Sequence, residues 1–294
     1  MATYKTYDTV GIREDLQDAI YDISPTTTPF MSTVGRTKAK ATYHEWQTDS
    51  LADVNLANAQ VEGADATSAV LTPTTRVGNY TQISDKVIQV STTDDVVDKA
   101  GRSTETAYQL SKASAEIKRD MESILLSDQA QSAGTSSTAR NLGGLASWIT
   151  TNTVNTAGGA LTEDMLKEAV LKAYNSGGEP DVLLVSPANK QVVSTFAGIA
   201  EQRYQAPKSS PTTIIGTADV YLSDFGSVNV VPDRFLSDDY SFVLDPSMAS
   251  VAYLRPFKSQ KLAKMGDSEK HLLNVEYTLV VNNESAHAMM SDET

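Results

Sequence analysis

Cysteine is absent from the chain, which removes disulfides, thiolate metal ligands and a cysteine nucleophile together. Histidine is scarce, with three residues in 294, so any histidine-based site must be assembled across the fold. Positive charge is in deficit: 24 Lys and Arg against 37 Asp and Glu leave a formal charge of -13. That balance opposes tight adhesion to duplex DNA, which carries one negative charge per ~1.7 Å of axis, and disfavours a nucleic-acid reader. No apolar run approaches the ~20 residues that span a bilayer. The opening "MATYKTYDTVGIRED" also lacks the apolar core of a secretion signal. The expectation is a chain with no membrane association, soluble and intracellular when made.

The catalytic motifs are missing as well. "YHEWQTD" at 43–49 pairs a His with a Glu, but a helical zinc motif needs a second His four residues on, where Thr48 stands. His44 therefore reads as part of an amphipathic strand, with Tyr43, Glu45 and Gln47 on one side and His44, Trp46 and Thr48 on the other. His271 and His287 lie far along the chain and add no local ligand spacing. In "NLGGLASW", Ser147 sits one place too late for a nucleophile elbow and no second Gly follows. "VGRTKAK" and "KAGRSTE" each supply one Gly without the phosphate-loop frame. Asp94, Asp95 and Asp98, and Asp233, Asp238 and Asp239, lack the oxygen spacing and central Gly of a calcium loop. The first group reads as charge near a helix N-terminus and the second as a polar turn. No catalytic, cofactor-binding or metal residue is assigned, no cofactor is expected, and the chain is not expected to be an enzyme.

What is present is architectural, at a length sufficient for one large domain or two smaller ones. The spacing of Ile12, Leu16, Ala19, Ile20 and Ile23 predicts a short helix that Pro25 ends. Segments 39–49 and 76–92 have strand character and suit an antiparallel pair. Between them, residues 50–75 contain no aromatic, Lys or Arg. A compact globule rarely tolerates so long a structureless connection, so this hairpin is expected to project and to find its packing surface on another chain. A long helix follows over 104–128, with Ala107, Leu110, Ala113, Ile117, Met121, Ile124 and Leu125 on one stripe. Lys112 with Glu116 and Lys118 with Glu122 are read as exposed pairs four residues apart. From about 145 an α/β organisation begins. Thr162 caps a helix over 163–174, "NSGG" ends it, Pro180 leads into the strand "DVLLVS", and Ser186-Pro187 opens a helix reaching Phe196. Short β segments follow, and Leu273, Val275, Tyr277, Leu279 and Val281 alternate along a closing strand.

Three runs carry a resemblance: "IREDLQDAIYDISPTTTPFMSTVGRTKAKATYHEWQTDSLA", "NYTQISDKVIQVS" and "AGRSTETAYQLSKASAEIKRDMESILL". They resemble the major capsid proteins of tailed bacteriophages with the Hong Kong 97-type fold, densely over 11–126 and by element order beyond. The resemblance implies an α+β fold with an N-terminal arm at 1–40 and an extended loop hairpin at 41–92. A peripheral domain with a spine helix would occupy 93–144, an axial domain 145–245, and 246–294 would return to the peripheral domain. It implies self-assembly through hexamers and pentamers into an icosahedral shell enclosing double-stranded DNA, without sequence-specific binding to it. A portal, and separate scaffolding or decoration proteins, would be partners. The location would be the virion, after assembly in the host cytoplasm.

Two departures from the prototype of that fold bear on assembly. Its subunit starts with a long helical scaffolding segment that is later cleaved, whereas here the arm starts near Met1, so scaffolding is expected from another protein or not at all. The prototype also joins subunits through a loop Lys and an Asn, yet residues 41–85 contain no Lys, so a covalent mesh is not expected. The competing readings are an encapsulin-like bacterial shell enclosing cargo protein and, in a different class, an enzyme with no recognisable local motif.

Overall fold

The computed structural model describes residues 26–292 except 53, 64, 66–70, 99, 100, 102, 156, 157, 197–218 and 265. The helix expected over 12–23 lies outside the described residues. The chain begins with a short helix, α1 (Pro29–Thr33), whose Phe30 and Met31 are buried. Strand β1 (Gly35–Lys38) follows and runs parallel to β10 (Ala249–Lys261). A hairpin of β2 (Tyr43–Thr48) and β3 (Thr75–Tyr80) leads through Thr81 into β4 (Gln82–Ser91). The strands β10, β11 (Ser268–Val281) and β4 are successive antiparallel neighbours, so a four-stranded sheet runs β1-β10-β11-β4. The segment 76–92 is therefore two strands serving two sheets, since only its first part pairs with 43–48.

One turn of helix, α2 (Thr92–Val96), precedes the spine helix α3 (Glu105–Leu126). At 1.5 Å per residue the spine is ~33 Å long. Its buried stripe, Ala113, Ile117, Met121 and Leu125, shares one apolar cluster with Leu273, Val275, Tyr277 and Leu279 of β11. Period four on the helix meets period two on the strand, which is the fit expected of a helix laid on a sheet. The opposite face of the sheet carries Ala252 and Val280, packed with Ala39 and Trp46. Ala107, expected on the stripe, is exposed.

The two exposed pairs expected along this helix are corrected. Glu122 is fully buried and accepts hydrogen bonds from the backbone of α1, not from Lys118. Glu116 is half-buried and forms its ion pair with Lys86 of β4, with Lys112 and Arg119 lending further positive charge. Together these lower the Glu116 carboxyl below the usual range, the Lys86 hydrogen bond most of all.

After α4 (Leu145–Trp148) and β5 (Thr153–Asn155) comes α5 (Glu163–Asn175). Thr162 caps it by accepting from the Met165 N–H. Gly177, at φ 89°, makes the turn that ends it. Strand β6 (Val182–Val185) is buried at every position, as suits a central strand. Ser186 then caps α6 (Pro187–Val193), which stops short of Phe196 because Ser194, Thr195 and Phe196 tighten into turns. Strands β7 (Val220–Ser223), β8 (Gly226–Pro232) and β9 (Tyr240–Leu244) follow. Strand β12 (Ala288–Ser291) completes a six-stranded sheet in the order β5-β12-β9-β6-β8-β7.

The sheets cross two of the expected domain divisions. Residues 82–91 belong to the four-stranded sheet and not to the hairpin, and residues 288–291 return to the sheet built from 145–245. The two sheets also share a core, because Leu184, Phe242 and Met289 lie in the same apolar cluster as Met121 and Leu125.

Candidate assembly surface

The hairpin is anchored at its base, and among the described residues those between its two strands are exposed. β2 and β3 pair from Tyr43 with Tyr80 to Thr48 with Thr75. At the base, Asn79 is fully buried. Its side chain donates to Gly143 O at 3.0 Å and Leu279 O at 2.9 Å, and accepts from Gly143 N at 2.8 Å. Tyr43 and Tyr80 lie with ring centroids 4.5 Å apart, and Trp46 leans on Trp148 of α4 at 5.4 Å. Gly78 is required here, because a Cβ would stand 2.7 Å from His44 O. Further out, Arg76 grips Glu45 across the pair, with Nε to Oε1 at 2.7 Å, and this hydrogen bond holds the Glu45 carboxyl below the usual range.

Past Thr48 the regular pairing ends. Leu51 is 98% exposed, Val54 87%, Leu56 96%, Val61 79% and Leu71 88%. Val70 lies outside the described residues. Single exposed apolar residues are ordinary, but five on one projecting loop, in a stretch with no positive charge, need a partner surface. A second apolar surface lies at the β7 edge of the six-stranded sheet. There Leu171 of α5 faces Val220, Leu222 and Phe225 around a cavity of about 410 Å³, and Tyr174 of α5 stacks on Phe225 at 4.7 Å.

The residues weighed for chemistry are scattered. His44 sits on the hairpin beside Trp46. His271 lies in β11, opposite Ile88. His287 is buried against the backbone of Asp245, whose N–H it accepts at 3.2 Å. Burial pushes the His287 pKa down, against the opposing charge of Asp245. Among the described residues no group of three or more His, Asp or Glu could hold a metal ion. Asp94 and Asp95 do stand in the first turn of α2, and Asp95 also accepts from the Thr106 N–H at the start of α3. The second acidic group is divided, which corrects its reading as a polar turn: Asp238 and Asp239 are exposed, while Asp233 is buried against Glu122. Ser147 donates to Gly144 O and serves a turn.

Sequence reading missed Asn79, the Glu122 and Asp233 pair, and the ion cluster around Glu276. There Arg140 Nη2 and Arg255 Nε each donate to a Glu276 oxygen at 2.7 Å, and Thr81 Oγ1 donates at 2.8 Å. Among the described residues no helix is long and apolar enough to cross a membrane.

Comparison with known proteins agrees with this architecture. A family model described as SU10 major capsid protein matches residues 2–294. The major capsid protein of Escherichia phage Phieco32 is 29% identical over 98% of this chain and 96% of its own length. The structure from Microbacterium phage Oxtober96 is similar at a TM-score of 0.66 and 12% identity, covering 96% of each chain. The SrpI encapsulin of Synechococcus elongatus is similar at 0.61 and 15% identity, covering 99% of this chain and 96% of that one. The likeness to solved structures establishes the Hong Kong 97-type fold, and the family match extends along nearly the whole sequence. The chain belongs to the SU10 major capsid protein family and is a structural protein of a tailed-phage virion, not an enzyme.

Proposed function

We propose that the chain assembles as hexamers and pentamers into an icosahedral shell enclosing double-stranded DNA, with the loop over 50–75 seated on a neighbouring subunit. The observation that carries this reading is the loop itself: five apolar side chains are almost fully exposed beyond a rigidly anchored hairpin base. Burying each removes ~1.5–3 kcal/mol of unfavourable hydration, and the described residues of the subunit leave them uncovered. In this reading the arm at 1–40, the hairpin and the domains built on 93–144 and 145–245 take the roles their order implies. The β7 edge supplies a further contact between copies. The negative balance of the chain suits a wall that contains DNA without gripping it. A portal, and separate scaffolding or decoration proteins, complete the particle in this reading, and assembly takes place in the host cytoplasm.

The likeness to an encapsulin supports one competing reading, a shell around cargo protein. Electron microscopy of the purified particle, with assay of its contents, separates the two. Closed megadalton shells containing duplex DNA support the proposal. Shells filled with protein cargo and free of DNA favour the competing reading, and a species that never exceeds a small oligomer contradicts both.

A further inference from the structure

Glu122 and Asp233 form a buried pair of carboxyl groups where three parts of the chain meet. Glu122 projects from the spine helix, and its two oxygens accept from Phe30 N at 2.6 Å and Met31 N at 3.0 Å, so it holds the first turn of α1. Phe30 and Met31 are themselves buried in the cluster that contains Met121 and Leu125. Asp233 follows β8 and is fixed by its backbone, its N–H donating to Val185 O at 2.8 Å. Its Oδ1 accepts from Phe235 N at 2.9 Å. Its Oδ2 is buried with no donor among the described residues, and its carboxyl meets that of Glu122.

Two carboxylates cannot supply a donor to one another. Two like charges buried in contact repel strongly, so the geometry is satisfied only when one carboxyl carries a proton. The other titratable or charged groups on this side are Tyr253 of β10, whose hydroxyl feels Glu122, and Arg36 of β1, whose charge acts on Tyr253. Among the described residues the charge that acts on Glu122 is that of Asp233.

We propose that Glu122 and Asp233 share one proton and act as a latch that holds the segment Pro29–Thr33, at the base of the N-terminal arm, to the spine helix, and that loss of this proton loosens the segment. The segment precedes β1, an outer strand of the four-stranded sheet, so it can detach without breaking the spine or either sheet. Burial first, and the Asp233 charge second, push the Glu122 carboxyl up to about 8, against the pull of the two α1 amides. Burial also raises Asp233. In the released state Glu122 loses the cover of Phe30 and Met31, so its carboxyl moves down towards the ordinary range near ~4 even with Asp233 still beside it. The latched state therefore holds the extra proton between that range and about 8, and its advantage falls over this window as pH rises, then levels off.

The test is hydrogen exchange of the Phe30 and Met31 amides in the unassembled full-length chain, corrected for the intrinsic pH dependence of exchange. Protection should fall by up to about tenfold per pH unit from pH 5.5 to 8 and flatten above, while the amides of β6 stay protected. Glu122→Gln keeps one carbonyl oxygen, enough for one of the two α1 amides, and gives Asp233 an amide donor, so it should lower protection at every pH but remove the slope. Asp233→Asn supplies a donor to an ionised Glu122 and should remove it as well, so either variant that folds decides. Flat protection in the natural chain, a slope that survives in a folded variant, or an equal fall at β6 would overturn the proposal.

Discussion

Asn79 and Gly143 exchange two hydrogen bonds, Asn79 Oδ1 accepting from Gly143 N at 2.8 Å and Asn79 Nδ2 donating to Gly143 O at 3.0 Å. The same amide nitrogen reaches Leu279 O. One side chain thus fastens the base of the projecting hairpin to the segment that leads into α4 and to β11.

Replacing Asn79 by Ala leaves the Gly143 N–H and two carbonyl oxygens buried without this partner, at ~1–3 kcal/mol for each group that water cannot reach. Asn79→Ala should lower the unfolding free energy by about 2–4 kcal/mol in urea titration. A change below about 0.5 kcal/mol, the range of an ordinary surface substitution, would remove the anchor role.

Glu276 offers a second test in the same sheet. Its carboxylate is buried under Arg140, Arg255 and Thr81, where β10 and β11 slip register between Tyr253 and Arg255. Both arginines are partly exposed, so they can turn to water when the acid is removed, and the loss is smaller than for a wholly buried pair. Glu276→Ala should destabilise by about 2–3 kcal/mol. The double replacement of Glu276 and Arg255 by Ala should cost less than the sum of the single changes, and additivity would show that the pair is not coupled.

His287 predicts an acid limit. Its folded pKa is lowered, chiefly by burial, so the folded chain takes up a proton there less readily than the unfolded one. Stability tied to His287 is present above the ordinary value near ~6.5 and is lost as pH falls through the lower folded value. His287→Asn keeps an acceptor near the Asp245 N–H and cannot titrate. Thermal unfolding between pH 7 and 5 should show a shallower fall for this variant than for the natural chain. Parallel curves would show that His287 is not the group responsible.

The parts legible in the sequence are those set by local periodicity and caps. The spine helix was written in the spacing of Ala113, Ile117, Met121 and Leu125. The α/β part was marked by Thr162 and Ser186, whose hydroxyls accept where a helix N-terminus needs an acceptor. What stayed hidden depends on contacts far apart along the chain. Glu122 stands four residues after Lys118 and so reads as a surface pair, yet its partners are the Phe30 and Met31 amides. Asp233 shares a short acidic stretch with Asp238 and Asp239, and nothing local distinguishes the one that turns inward. The strand pattern of 76–92 does not disclose that Thr81, fully buried, divides it between two sheets. Asn79 gave no signal, because a lone polar residue in a strand reads as solvent-facing until its partners are known.

The absence of Lys over 41–85 predicts that particles dissociate without covalent links from this loop. Denaturing electrophoresis of purified shells should give a single band near the chain mass of 31.6 kDa. A ladder of multiples would show that another pair of side chains joins the subunits.

The central claim, that the loop over 50–75 is completed by a neighbour, is tested most directly by its cleavage in free and assembled protein. Ordering the loop costs ~1–2 kcal/mol of backbone entropy per residue, which contacts made only in the assembly must offset. The loop holds no Lys or Arg, so trypsin is silent, and a protease that cuts after Glu62 is the probe. Cleavage after Glu62, followed by mass spectrometry, should be rapid in the free subunit and slower by at least about tenfold in shells, the equivalent of ~1.4 kcal/mol of protection. Equal rates in the two states would contradict the account.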